Sequence, residues 1–126
     1  MAYLEELPEQ CPPDTASDAA FGPAYRIVPS PKPEIGHFYS YGLLGKPKPD
    51  GVDDCRYRAC SLFTSEVNAR KIARLPKMRA TATHLAKVVL PSGMGAVVVN
   101  ENTSHVDLWP YDTFDVELAV QDVIAL

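Results

Sequence analysis

The sequence predicts an α+β domain, a small and mostly antiparallel sheet with one or two short helices, behind an extended proline-rich N-terminal arm. Three observations carry this. Short β-branched runs recur along the second half, as at Val88-Val89-Leu90 and Val97-Val98-Val99, whereas a clear helical signal follows only Ser65. Nine of the twelve prolines fall in the first 49 residues, where they remove backbone donors and exclude long helices. At 126 residues, 46% of them hydrophobic, the chain suffices for one core and not for two. The expected division is an extended or flexible arm over 1–23 and a single α+β domain over 24–126.

Ala24-Tyr25-Arg26-Ile27-Val28 is the first strand-like run, closed by Pro29. Lys46-Pro47-Lys48-Pro49-Asp50-Gly51 reads as a turn or exposed loop, because proline fixes φ and Asp-Gly allows it to become positive. Tyr57 to Phe63 suits a strand with Arg56 and Arg58 on one face. Ser65 is placed to cap a helix through Val67, Ala69, Ile72 and Ala73 that Pro76 stops, with Arg70 and Arg74 four apart on its basic face. Leu85–Leu90 and Gly95–Val99, joined by Pro91-Ser92-Gly93-Met94, predict a hairpin. His105 to Trp109 alternates polar and apolar until Pro110, the pattern of a half-buried strand with Trp109 marking a sheet edge. From Phe114 to Leu126 a strand reading through Gln121 competes with a helical stripe of Val116, Ala119, Val120 and Val123, and the strand is favoured.

No run approaches the ~18 consecutive apolar residues of a membrane span. Glu5, Glu6 and Glu9 stand where an export signal would be basic and then apolar. Cytoplasm is therefore the expected compartment. Cys11, Cys55 and Cys60 are an odd set, which predicts reduced thiols. Cys55 and Cys60 lack zinc-knuckle spacing, and His37, His84 and His105 are scattered, so no metal is expected.

Ten of the twelve basic residues lie between Lys46 and Lys87, against four acidic ones there, within a chain whose net charge is −4. This basic middle suits a small anionic or nucleotide ligand or an acidic protein surface, and a solvated face balanced by the acidic flanks is the favoured explanation. Nucleic acid is not expected, since no docking motif accompanies the basic stretch. No glycine-rich phosphate loop is present, Gly93-Met94-Gly95 lacking the context, and a Ser-His-Asp site is not recognisable without spatial information. Cys60 is a candidate nucleophile or a buried, inert thiol.

The leading functional expectation is a small bacterial-type intracellular accessory protein that acts on a protein partner, as immunity proteins, antitoxins or operon accessory subunits do. Arg70, Arg74 and the aromatics Trp109 and Tyr111, expected to be exposed at a sheet edge, are its candidate contacts, because arginine and aromatics anchor interfaces.

A second expectation comes from a pattern. Tyr25-Arg26 lies on the first strand, Phe63-Thr64-Ser65 at a strand end with Ala69 in the next helix, and His105-Val106-Asp107-Leu108-Trp109 follows the Leu90-Pro91-Ser92-Gly93 turn. This layout, over roughly residues 24 to 118, resembles the arginine, Ser-Thr-Ser and glutamate signature of the ADP-ribosyltransferase superfamily. The resemblance implies NAD as cofactor, with Arg26 on its phosphates, Thr64 and Ser65 bracing the site, and Tyr25 or Phe63 stacking on a ring. It puts the catalytic carboxylate on Asp107, with Thr113-Phe114-Asp115-Val116 resembling the strand that follows. Asp107 is one methylene shorter than the family's glutamate, a displacement large enough to cost about 100-fold in rate. The bland alternatives are a packed strand arginine for Arg26, a helix cap for Thr64 and Ser65, and an outward strand residue for Asp107.

Overall fold

In the computed structural model, which describes residues 2–126, six strands form one sheet in which every neighbouring pair is antiparallel. In chain order these are β1 (Phe21–Val28), β2 (Cys60–Phe63), β3 (His84–Leu90), β4 (Gly95–Asn100), β5 (His105–Pro110) and β6 (Val120–Ala125). The helices are short: α1 (Asp54–Tyr57), α2 (Glu66–Ala73) and α3 (Val116–Ala119), with a 3-10 turn over Ile35–Phe38. The α+β architecture is thus the one the residue pattern predicts.

Across the sheet the order is β4-β5-β2-β1-β3-β6. The expected hairpin of β3 with β4 does not form, although both strands exist. β3 pairs with β1 and β6, and the true hairpin joins β4 to β5, Asn100 facing His105. Leu90, the end of β3, stands level with Phe21, whereas Gly95, the start of β4, stands level with Pro110. Pro91 to Met94 must bridge those places. Five residue steps reach about 18 Å at most, while crossing from β3 to β4 in a flat sheet would take four strand spacings of about 4.8 Å plus a run back along the strands. The sheet therefore coils on itself, and Leu90 and Met94 join Leu108 in one buried cluster. Gly95 starts β4 tightly against β5, where an added Cβ would lie 2.7 Å from the Trp109 carbonyl oxygen.

The main core lies on the face formed by Ala24 and Val28 of β1, Leu62 of β2, Val106 and Leu108 of β5 and Val88 of β3. Phe38 and Phe114 cover it, their ring centroids 5.2 Å apart. α2 adds Ala69 and Ala73 and begins where expected, Ser65 Oγ accepting from the Asn68 amide at 3.1 Å. The segment 57–63 departs from the expected strand. Asp53 accepts from the Arg56 amide and caps α1, and only Cys60–Phe63 is extended. Arg56 and Arg58 consequently reach different partners, Asp107 and Glu5. The tail also divides: Asp115 caps α3, and β6 runs beyond Gln121 to Ala125.

The N-terminal segment ahead of β1 is mostly turns and irregular backbone fastened to the domain, and β1 begins at Phe21, inside the expected arm. The Leu4 amide donates to the Pro110 carbonyl at 2.9 Å, and the Asp112 amide to that of Ala2 at 2.9 Å. Ser17 bridges Val97 on the outer side of β4. Glu5, with 8% of its side chain exposed, accepts from Ser40 Oγ and pairs with Arg58 at 3.1 Å. Cys11 forms a disulfide with Cys55, correcting the expectation of three reduced thiols. An odd cysteine count hides such a pair, because only the fold lays Cys11 over α1. Cys60 is the remaining thiol and is buried. No helix of the described residues is long and apolar enough to cross a membrane.

Candidate functional site

The ladder between β2 and β5 sets Ser61 opposite Asp107 and Phe63 opposite His105. Residues directly opposite share a face of a sheet, as do residues two apart on one strand. Ser61, Phe63, His105 and Asp107 therefore make a four-residue patch. Their geometry is connected. Ser61 Oγ lies 3.0 Å from His105 Nε2, and His105 Nδ1 lies 3.6 Å from Asp107 Oδ1. The first distance is a hydrogen bond; the second is a close polar approach, longer than a hydrogen bond. Arg56 from the end of α1 brings Nε to 3.3 Å from Asp107 Oδ2. Phe63 meets the His105 ring edge-on, with centroids 5.6 Å apart.

Burial governs the charge states here. It lowers the pKa of His105, an effect that Asp107 opposes and Arg56 reinforces. The imidazole is thereby held neutral near pH 7. Burial raises the pKa of Asp107, against the attraction of His105 and Arg56. With the His105 proton on Nδ1, toward Asp107, Nε2 accepts from the Ser61 hydroxyl. That is the polarity a nucleophile and its base require.

Arg26 enters from β1. Its ladder with β2 consists of the Tyr25–Phe63 pair, and beyond it the guanidinium fills the gap, Nη1 donating to the Ser61 carbonyl at 2.8 Å and Nε to the His37 carbonyl at 2.9 Å. Among the described residues no carboxylate lies within ion-pair distance of Arg26.

These groups line a cleft of about 530 Å³, a volume typical of small-molecule sites. One wall is the segment after the 3-10 turn, with Tyr39, Tyr41, Leu44 and Lys46; another is α1 and its approach, with Val52 and Tyr57. The third is the end of α2 and the loop beyond it, with Ile72, Leu75, Lys77 and Met78. Arg26, Lys46, Arg56 and Lys77 thus face a single carboxylate, Asp107. Lys46 also rests over the Tyr41 ring, 5.3 Å from its centroid.

Of the residues picked from the sequence, Arg26, Phe63 and Asp107 meet in this cleft. Tyr25 does not line it, although it pairs with Phe63 across the ladder. Thr64 and Ser65 lie outside it: the Thr64 amide and hydroxyl both turn to the Ser104 carbonyl, and Ser65 caps α2. Cys60 borders the cleft through a fully buried residue whose thiol pKa burial pushes up, which fits an inert thiol.

The proposed contact residues are also redistributed. Arg70 pairs with Glu66 at 3.0 Å, and Arg74 ends α2, its carbonyl accepting from Arg79 Nε. The exposure expected of Trp109 and Tyr111 is corrected. Trp109 is 2% exposed and donates from Nε1 to the Cys55 carbonyl at 3.0 Å. Its strand is internal, because β4 lies outside it. Tyr111 is buried and donates to Asp18, and burial with that contact pushes its pKa up to about 12.

Sequence reasoning missed Ser61 and His105 as partners. A usable signal was His105-Val106-Asp107, which puts an imidazole and a carboxylate on one face of any strand; Ser61 joins them only through the register. No protein-family model matches the chain, and neither does any curated protein or solved structure.

Proposed function

We propose that the protein binds a small anionic ligand of the nucleotide class in this cleft. The observation that carries the reading is the half-buried Arg26, a cation that two backbone carbonyls hold at the cleft with no carboxylate to neutralise it. A guanidinium in that state favours a phosphate, since charge-assisted bonds strengthen where water is partly excluded. Lys46 and Lys77 extend the positive field along the rim, and Tyr41, Tyr57 and Phe63 offer ring surfaces for a base. NAD, the cofactor implied by the ADP-ribosyltransferase resemblance, belongs to this class, although only Arg26, Phe63 and Asp107 of that pattern are near it.

Calorimetric titration with ADP, NAD, adenosine and inorganic phosphate tests the reading. ADP or NAD should bind at least tenfold more tightly than adenosine, and binding should weaken as salt rises. Arg26 braces two carbonyls, so its removal risks the fold. The exposed pair Lys46→Ala/Lys77→Ala is the safer variant and should weaken ADP binding about tenfold with an unchanged circular dichroism spectrum. Absence of heat with both nucleotides at millimolar concentration, from folded protein, would overturn the proposal.

A further inference from the structure

The Ser61–His105 contact supports a chemical step as well as a binding site. We propose that Ser61 is the nucleophile of an acyl transfer, with His105 as its base and Asp107 as the residue that positions the imidazole, and that the protein hydrolyses small carboxylic esters. The contact is built by the ladder rather than by a mobile loop: Ser61 and Asp107 are opposite residues of internal strands, and His105 stands two residues from Asp107. Rigid strands hold a nucleophile and base in register better than loops do. The Ser61 hydroxyl has a base at 3.0 Å, and the base has a carboxylate on its other nitrogen. That is the order of roles in serine hydrolysis, defined by geometry and not by chain order. The 3.6 Å approach of His105 to Asp107 is of the kind that shortens when substrate binds.

The step balances. Ser61 Oγ attacks the ester carbonyl carbon as its proton passes to His105 Nε2, forming the Oγ–C bond. The tetrahedral intermediate expels the alcohol oxygen, which takes the proton from Nε2, and an acyl-serine remains. Water, losing a proton to Nε2, then attacks the acyl carbon; Oγ leaves with that proton, releasing the carboxylic acid. Arg56, held against Asp107, lines the same cleft as Ser61 and adds positive charge that favours a developing oxyanion. Phe63, edge-on to the imidazole, limits its rotation. A preference for esters bearing a negative group rests on the anion-binding reading above; the nucleophile does not.

An uncharged alkyl fluorophosphonate, which reacts with base-activated serines, therefore tests the nucleophile apart from the ligand. Intact-mass and peptide analysis should find one adduct, on Ser61, absent in Ser61→Ala and formed at least tenfold more slowly in His105→Gln. With p-nitrophenyl acetate, Asp107→Asn should lower kcat and leave KM unchanged, the split expected of a positioning residue. Both sets of variants are first checked for native circular dichroism. Failure of folded wild-type protein to form the Ser61 adduct under excess reagent, or an unchanged labelling rate in His105→Gln, would overturn the proposal even if ADP binds.

Discussion

One strand face carries two different fates. His105, Asp107 and Trp109 alternate along β5 and point to the same side, with Tyr111 just beyond the strand. At the His105 end the side chains are titratable and open into the cleft; at the Trp109 end they are aromatic and lie under the arm. Trp109 packs with Ala59 and Ala96 beneath Tyr3, Leu7 and Cys11, whereas Asp107 keeps 13% of its side chain exposed beside Arg56. The arm makes the difference. It reaches Pro110 and Asp112 through backbone hydrogen bonds and Tyr111 through Asp18 and the Tyr3 ring, and is tied to α1 by the disulfide, but among the described residues its hydrogen bonds do not extend to Asp107 or His105. A sheet face covered by its own chain becomes core, and the uncovered remainder can do chemistry.

The hardest test of that contrast is at the covered end. Trp109→Ala removes a large, almost fully buried side chain and the bond from its ring nitrogen to the Cys55 carbonyl. Such truncations cost about 3–5 kcal/mol, which should lower the melting temperature by about 10 °C or more. A fall of less than about 3 °C would mean that the arm and its aromatic bed are not a structural unit.

The next effect is that of the disulfide. Cys11 and Cys55 are separated by 44 positions, so their cross-link closes a long loop in the unfolded chain. Losing it should cost about 2–4 kcal/mol. Cys11→Ser/Cys55→Ser should melt about 10 °C below the parent. Thiol titration without reductant should find one reactive group after unfolding and three after reduction. If three thiols react without reductant, the arm is not fastened in this way, and the division of the β5 face needs another cause.

These two regions were unequally legible. Strand identities came through wherever one face is buried: β1, β5 and the run of β3 all show their alternation or β-branching in the sequence. Pairing did not. Gly93 has a φ of +83° and does make a turn, but a turn between two strands leads to a hairpin only when no better partners exist, and here β1 and β6 take both edges of β3 while β5 pairs with β4. Tyr57 to Phe63 misled because its alternation outweighed the Asp53 cap, which spends the first part of that segment on α1. In the tail, both periodicities were real, one in α3 and the other in β6. At the site, Arg26, Phe63 and Asp107 stood out as residue types, whereas Ser61 and His105 required the β2–β5 register. The arm's role was invisible, since its backbone bonds and its disulfide depend on where the chain returns in space.

The smallest effect, and the one that separates the two ends by charge, concerns Asp107. Burial raises its pKa above the ~3.9 of an unfolded aspartate. The folded protein therefore holds this proton more tightly than the unfolded chain. Its contribution to stability is present below pH ~3.9 and is lost as pH rises through the folded value. At neutral pH the ionised side chain costs stability, and Asp107→Asn, which keeps the shape, should melt a few degrees higher than the parent. The advantage should shrink as the solution is acidified and vanish below pH ~3.9, where both side chains are neutral. His105 has the opposite sign. Its lowered pKa means that the unfolded chain takes up a proton first, so stability falls as pH drops from ~6.5 through the folded value. Melting curves of parent and variant between pH 3 and 8 distinguish the two groups. A variant that melts lower at neutral pH would show that Arg56 and His105 more than offset the burial of Asp107. The open end of β5 would then be stabilised by its ion contacts, just as the closed end is by its aromatics. A variant that melts higher marks a carboxylate kept at a cost to the fold, as expected of a group retained for its chemistry.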